Sequence, residues 1–123
     1  MSRLLATGLS VAVLGGCGPM SDAVARFNET KERAYMAVMK TDLRALADSL
    51  AGYHAKHGRY VAGTASNAAG KVTSSFPADF RFAPNYNVTV RVDTSAGAWM
   101  ATASNASTPK TCAISPGVAP ACK

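Results

Sequence analysis

The sequence predicts an α+β domain, a long N-terminal helix packed on a three- to four-stranded antiparallel meander sheet, and three observations carry that expectation. Residues 21–60 form the only segment both long enough and periodic enough for one extended helix. Val88, Val90 and Val92 alternate with Thr89, Arg91 and Asp93, the period of two that marks a strand with one buried face. Turn residues divide the remaining C-terminal part into short runs, and short connections place successive strands antiparallel.

Within the helix the apolar positions Met36, Met39, Leu43, Leu46, Leu50 and Tyr53 lie three or four apart, which draws one packing stripe down a helical cylinder. Such a stripe needs a partner to cover it. Ser21 followed by Asp22 reads as an N-cap with an acidic first turn, and Gly58 after His57 as a left-handed C-terminal cap. Glu29, Lys31, Glu32, Arg33, Lys40, Asp42, Arg44 and Asp48 are assigned to the solvent side. The pairs Asp22/Arg26 and Glu29/Arg33 have the favourable i,i+4 spacing, worth about 0.2–0.5 kcal/mol each. Apolar residues thin out between Met20 and Tyr35, so residues 17–35 are expected to be a tether and projecting helix, and residues 36–123 the packed head domain.

Residues 60–79 are rich in Ala, Gly, Ser, Thr and Asn without a sustained period and read as a surface connection. Strands are expected over residues 79–83, with Phe80 and Phe82 on one face, and over residues 87–93. A turn at Ser95-Ala96-Gly97 leads to a strand over residues 98–104, and a turn at residues 105–109 to one over 110–115. Their Val and Phe face and the helix stripe would cover one another.

A chain of 123 residues, 48% hydrophobic, suits one domain with a modest core. Its formal charge of +6 is a mild bias toward anionic partners. The basic residues are scattered from Arg3 to Lys123 without a run, which fits a solvated face better than an anion groove.

Residues 1–16 have the layout of a secretory signal: a short n-region with Arg3, an apolar h-region from Leu4 to Leu14, then Gly15 and Gly16 before Cys17. The apolar run is too short for a membrane span of about 20 residues. Leu14-Gly15-Gly16-Cys17 resembles the bacterial lipobox. In that motif the leucine fills the peptidase pocket and the small residues let the backbone enter its active site, and the resemblance implies that the Cys17 thiol would take the diacylglyceryl group. Lipid attachment at Cys17 would tether an exported protein to a membrane of the bacterial cell envelope, in the periplasm or at the cell surface. The alternatives are an ordinary signal followed by an unmodified cysteine, or a start codon other than Met1.

The run from Arg26-Phe27-Asn28-Glu29-Thr30-Lys31-Glu32-Arg33-Ala34-Tyr35-Met36 through Asp42-Leu43-Arg44-Ala45-Leu46 to Gly58-Arg59-Tyr60 resembles the helix of type IV pilin-like proteins, which include major pilins and the pseudopilins of type II secretion. Asn87-Val88-Thr89-Val90, Ala98-Trp99-Met100-Ala101-Thr102-Ala103 and Lys110-Thr111-Cys112-Ala113-Ile114 resemble that family's three sheet strands, with the cysteine on the last. The likeness runs from about Met20 to Cys122 and implies a helix laid across an antiparallel sheet in a filament subunit or tip component. Partners would be other pilin-like subunits or envelope proteins, and the membrane through the lipidated N-terminus. The departure lies at the N-terminus. The family's Gly-Phe-Thr-Leu-x-Glu motif and the twenty or so apolar residues after it do not occur in residues 1–36, which makes a lipid-anchored pilin-like binding module the second reading.

Cys112 and Cys122 are expected to form a disulfide, because export favours oxidation and the proteins resembled staple their C-terminal segment in this way. Two free thiols or a metal site are the alternatives. His54 and His57, at i,i+3, lack an evident third ligand and read as residues favoured by the helix C-terminal dipole. Lys31, Arg33, Lys40, Arg44, Arg59, Arg81 and Arg91 are the candidate contacts to nucleic acid, a weaker reading than solubility since no aromatic residues interleave with them. Asn87-Val88-Thr89 and Asn105-Ala106-Ser107 have the form of glycosylation sequons but read as strand- and turn-boundary asparagines. No carboxylate pair with a His, no Ser/His/Asp ordering and no phosphate-binding glycine loop is evident, so no catalytic role, cofactor, metal or small-molecule substrate is expected.

Overall fold

The computed structural model describes the backbone of residues 17–123 and the side chains of residues 23–123. The signal segment assigned to residues 1–16 lies outside the described residues, as does the side chain of Cys17. Helix α1 spans Cys17–His57. Six strands follow: β1 (Gly63–Ala68), β2 (Lys71–Ser74), β3 (Val88–Ser95), β4 (Ala98–Asn105), β5 (Thr108–Ser115) and β6 (Val118–Cys122). The chain divides into two units, Met1–Lys31 and Glu32–Lys123, and the helix–sheet packing belongs to the second.

The α+β class is the observed one, with more sheet than the sequence predicts. Strand order is β2-β1-β3-β4-β5-β6, antiparallel at every junction, so a four-stranded meander is extended by a hairpin on the β3 side. Three expectations are corrected. The supposed connection 60–79 contains β1 and β2. Residues 79–83 form no strand: they lie in an irregular segment between Pro77 and Pro84, and Phe80 reaches the core from there at 6% exposure. Ser21 lies inside the helix, which already includes Cys17, so it is not the N-cap, and the first turn holds no acidic residue. At the other end Gly58 takes φ 75° and donates its N–H to the His54 carbonyl at 2.7 Å, the single-bond left-handed cap.

The helix covers the sheet with the stripe. Met39, Leu43, Leu46 and Leu50 are fully buried, Tyr53 nearly so, and Met36 packs partly against them. Facing them, β3 to β5 alternate: Val88, Val90, Val92, Trp99, Ala101, Ala103, Cys112 and Ile114 point inward. The register lines Ala65, Val90, Ala103, Cys112 and Cys122 into one row across five strands. Alanines in that row and the adjacent Gly63-Val92-Ala101-Ile114 row leave room for the leucines of the helix. Each fully buried Leu or Met contributes roughly 1.5–3 kcal/mol of transfer free energy.

The turns follow their chemistry. Ala96 and Gly97 have φ 50° and 79°, and Ala69 and Gly70 have φ 53° and 85°. Left-handed backbone at both central residues suits a two-residue hairpin. Gly63 is required by close approach, since a Cβ there would lie 2.6 Å from the Phe76 ring.

Leu46→Ala is expected to lower unfolding free energy by about 2–5 kcal/mol, whereas Thr102→Ala on the exposed sheet face should stay within about 0.5 kcal/mol. Urea unfolding of both variants checks this; similar values for the two would contradict the assignment of faces.

Candidate functional site

Among the described residues, two features open to a partner sit on separate parts of the chain. On residues 23–31 every described side chain is exposed, including Val24 at 58% and Phe27 at 61%. Lys31 lies over the Phe27 ring at 5.3 Å, the i,i+4 spacing turned into a cation–π contact. Thr30 returns its hydroxyl to the Arg26 carbonyl at 2.9 Å, so this exposed stretch is internally satisfied helix. Among the described residues no helix is long and apolar enough to cross a membrane.

The second feature is the C-terminal hairpin. Cys112 and Cys122 are joined by a disulfide across β5 and β6. Thr111 and Lys123 exchange both backbone hydrogen bonds, at 3.1 and 2.9 Å, so the neighbouring Cys112/Cys122 pair is a non-hydrogen-bonded one. That is where opposite Cβ atoms come closest in an antiparallel ladder. The disulfide fixes a short edge strand that contains Pro120, which has no N–H to give a ladder and is tolerated at an edge. On the sheet face away from the helix, Met100 and Val118 are exposed beside Ala113, Ala119 and Ala121 in a shallow apolar depression of about 220 Å³.

Asp42 is a further correction, since its assigned place was the solvent side. It is 4% exposed and accepts the Asn85 backbone N–H at 3.0 Å and the Asn85 side-chain amide at 2.7 Å. The helix is thereby tied to the segment before β3. Burial pushes its carboxyl above the usual value, and the two Asn85 hydrogen bonds work against that rise.

The two histidines turn to different neighbours. His54 stacks on Tyr60 with centroids 4.3 Å apart, while His57 Nε2 lies 2.7 Å from Asp79 Oδ2. Among the described residues no group of three His, Cys, Asp or Glu side chains gathers as metal ligands would. The basic residues are dispersed: Arg59 lines a cleft with His54 and Tyr60, Arg81 another with Lys56 and Asp79, and Arg91 pairs with Asp93 at 3.2 Å on the exposed sheet face. Lys31, Arg33 and Arg44 are exposed along the helix and Lys40 is half-buried. Both sequon asparagines are engaged in local structure. Asn87, at φ 62°, accepts the Ala69 N–H at 2.8 Å, and Asn105, 7% exposed, accepts the Ser107 N–H at 2.8 Å.

No protein-family model, curated protein or solved structure matches this chain.

Two measurements test this geometry. Cys112→Ser/Cys122→Ser should lose at least the roughly 2–3 kcal/mol of the cross-link under oxidising conditions, and the difference from the parent should shrink in reductant to the cost of a hydroxyl at the buried position 112; an unchanged melting temperature under oxidising conditions would contradict the staple. For Asp42, a folded-state pKa above the usual 3.8 means that the folded chain holds this proton more tightly than the unfolded one. Its ionisation therefore costs folded stability, a penalty absent below the usual value and complete above the raised one. The stability of the parent relative to Asp42→Asn should fall as pH rises through that window; a difference that is flat or rises with pH would contradict the assignment.

Proposed function

We propose that this chain is a non-catalytic structural subunit of a type IV pilus-like filament or a type II secretion pseudopilus. The observation that carries the reading is the division of labour along α1. Its Met39 to Tyr53 stripe is spent on covering an antiparallel sheet, while residues 23–31 continue as helix with Val24 and Phe27 in solvent. A helix that has already satisfied its own domain and still presents apolar side chains is suited to pack against further helices. The sequence resemblance runs through this same helix and through β3 to β5, and the disulfide closes the last hairpin as the resemblance implies.

A second reading keeps the head and changes the anchor. Leu14-Gly15-Gly16-Cys17 supports a lipoprotein, held to a membrane at Cys17, whose head engages another envelope component as a binding module.

Intact mass and N-terminal sequencing of the mature protein from its native host distinguish the two. The filament reading expects the chain in sheared and purified filaments with an unlipidated N-terminus. A diacylglyceryl Cys17, with the protein in the membrane fraction and missing from filaments, would overturn it in favour of the lipoprotein.

A further inference from the structure

A cleft of about 400 Å³ opens between the helix and the two loops that bound β3 and β4, lined by Tyr35, Val38, Asn85, Tyr86, Asn87, Asn105 and Ser107. Its volume lies within the usual range for small-ligand sites, about 300–1,000 Å³. Tyr35 and Val38 lie one helical turn apart, and Asp42, a further turn on, sits behind Asn85. The wall opposite is Asn85-Tyr86-Asn87 and the β4–β5 turn.

These walls are tied to the rest of the domain and to each other. Asn85 is clamped to Asp42 by two hydrogen bonds. Asn87 donates its backbone N–H to the Asn67 carbonyl at 2.7 Å, and its own carbonyl accepts the Ala106 N–H at 3.1 Å. The Asn67 side chain holds the Pro84 carbonyl at 3.1 Å.

The same bonds orient the three amides. Ala69 and Ser107 present backbone N–H groups, which can only donate, so the atoms of Asn87 and Asn105 facing them are oxygens. The Asp42 carboxylate only accepts, so the Asn85 atom facing it is nitrogen. Two amide nitrogens, on Asn87 and Asn105, and one amide oxygen, on Asn85, are thus left without a side-chain hydrogen bond among the described residues. The lining contains no charged side chain, and Asp42 is sealed behind Asn85. Tyr86, 63% exposed, and Tyr35, half-buried, add two aromatic rings.

We propose that this cleft binds a neutral sugar ring. Oriented amides supply both donors and an acceptor for vicinal hydroxyl groups, whereas the apolar C–H face of a pyranose packs on an aromatic ring. The absence of charge from the lining disfavours anions and cations alike, since either would be stripped of water without a counter-charge. The sugar is bound and not converted. The inference does not rest on the filament reading and stands or falls separately from it.

The test is NMR titration of the uniformly ¹⁵N-labelled full-length chain with a panel of neutral probes: an N-acetylglucosamine trimer, a glucose trimer and lactose. At least one should shift the side-chain amide resonances of Asn85, Asn87 and Asn105 in the millimolar range. Asn87→Asp, at a half-buried position, keeps the acceptor for the Ala69 N–H while removing a free donor, and it should weaken that binding severalfold with the backbone spectrum otherwise retained. Tyr86→Ala, at an exposed position, should weaken it severalfold without lowering the melting temperature. Silence toward every sugar, shifts that map elsewhere, or binding indifferent to these substitutions would each overturn the proposal. So would a neutral tripeptide that moves the same resonances while the sugars do not.

Discussion

Burial of the Met39, Leu43, Leu46, Leu50 and Tyr53 stripe against the inward face of β3, β4 and β5 is the constraint to which the other features answer. A lone helix of this composition gains little from its own hydrogen bonds, and a sheet with one apolar face has no reason to stay monomeric until that face is covered. Their mutual coverage explains the small residues in the sheet rows. Ala65, Ala101 and Ala103 are alanine where a larger side chain would push the helix away. The disulfide belongs to the same arrangement, since Cys112 is both a buried core residue and the fourth member of the row that ends at Cys122.

From this packing follow the two ties that keep the irregular segment between β2 and β3 in place. Phe76 and Phe80 pack against each other at 4.5 Å between centroids, and Phe80 meets Tyr53 edge-on at 5.7 Å. Asp42 fixes the far end through Asn85, a buried carboxylate held by two donors where an unpaired one would be costly. A segment without regular structure thus acts as a wall. The cleft beside Tyr35 and Asn87 has a defined shape because both of its sides are anchored to the helix–sheet core.

Where local pattern and tertiary demand agree, the structure was legible in the chain. The three-and-four spacing of the helix stripe and the alternation of Val88, Val90 and Val92 each have only one face to bury, so pattern and packing coincide. The residues of β1, Gly-Thr-Ala-Ser-Asn-Ala, carry a single fully buried side chain, Ala65, and owe their extended form to pairing with Val90 and its neighbours. No window of sequence contains that partner. Residues 79–83 show the reverse: alternate Phe80 and Phe82 look like a strand face, but Pro77 and Pro84 bracket a loop that delivers its aromatics individually. Asp42 was misread for a related reason. Charge alone places it in solvent, and only the arrival of Asn85, forty-three residues later, accounts for its burial. The cleft asparagines gave no sequence signal beyond their sequon form, because their orientation depends on backbone donors at Ala69 and Ser107.

One helix has two environments, packed from Met39 to Tyr53 and open over residues 23–31. Hydrogen–deuterium exchange of the full-length chain tests that division most directly. The slowest amides should be those of Leu43 to Leu50 together with Val88 to Val92, exchanging as one cooperative unit, with residues 23–31 exchanging quickly. Uniform protection along the helix, with residues 23–31 exchanging as slowly as Leu43 to Leu50, would contradict it.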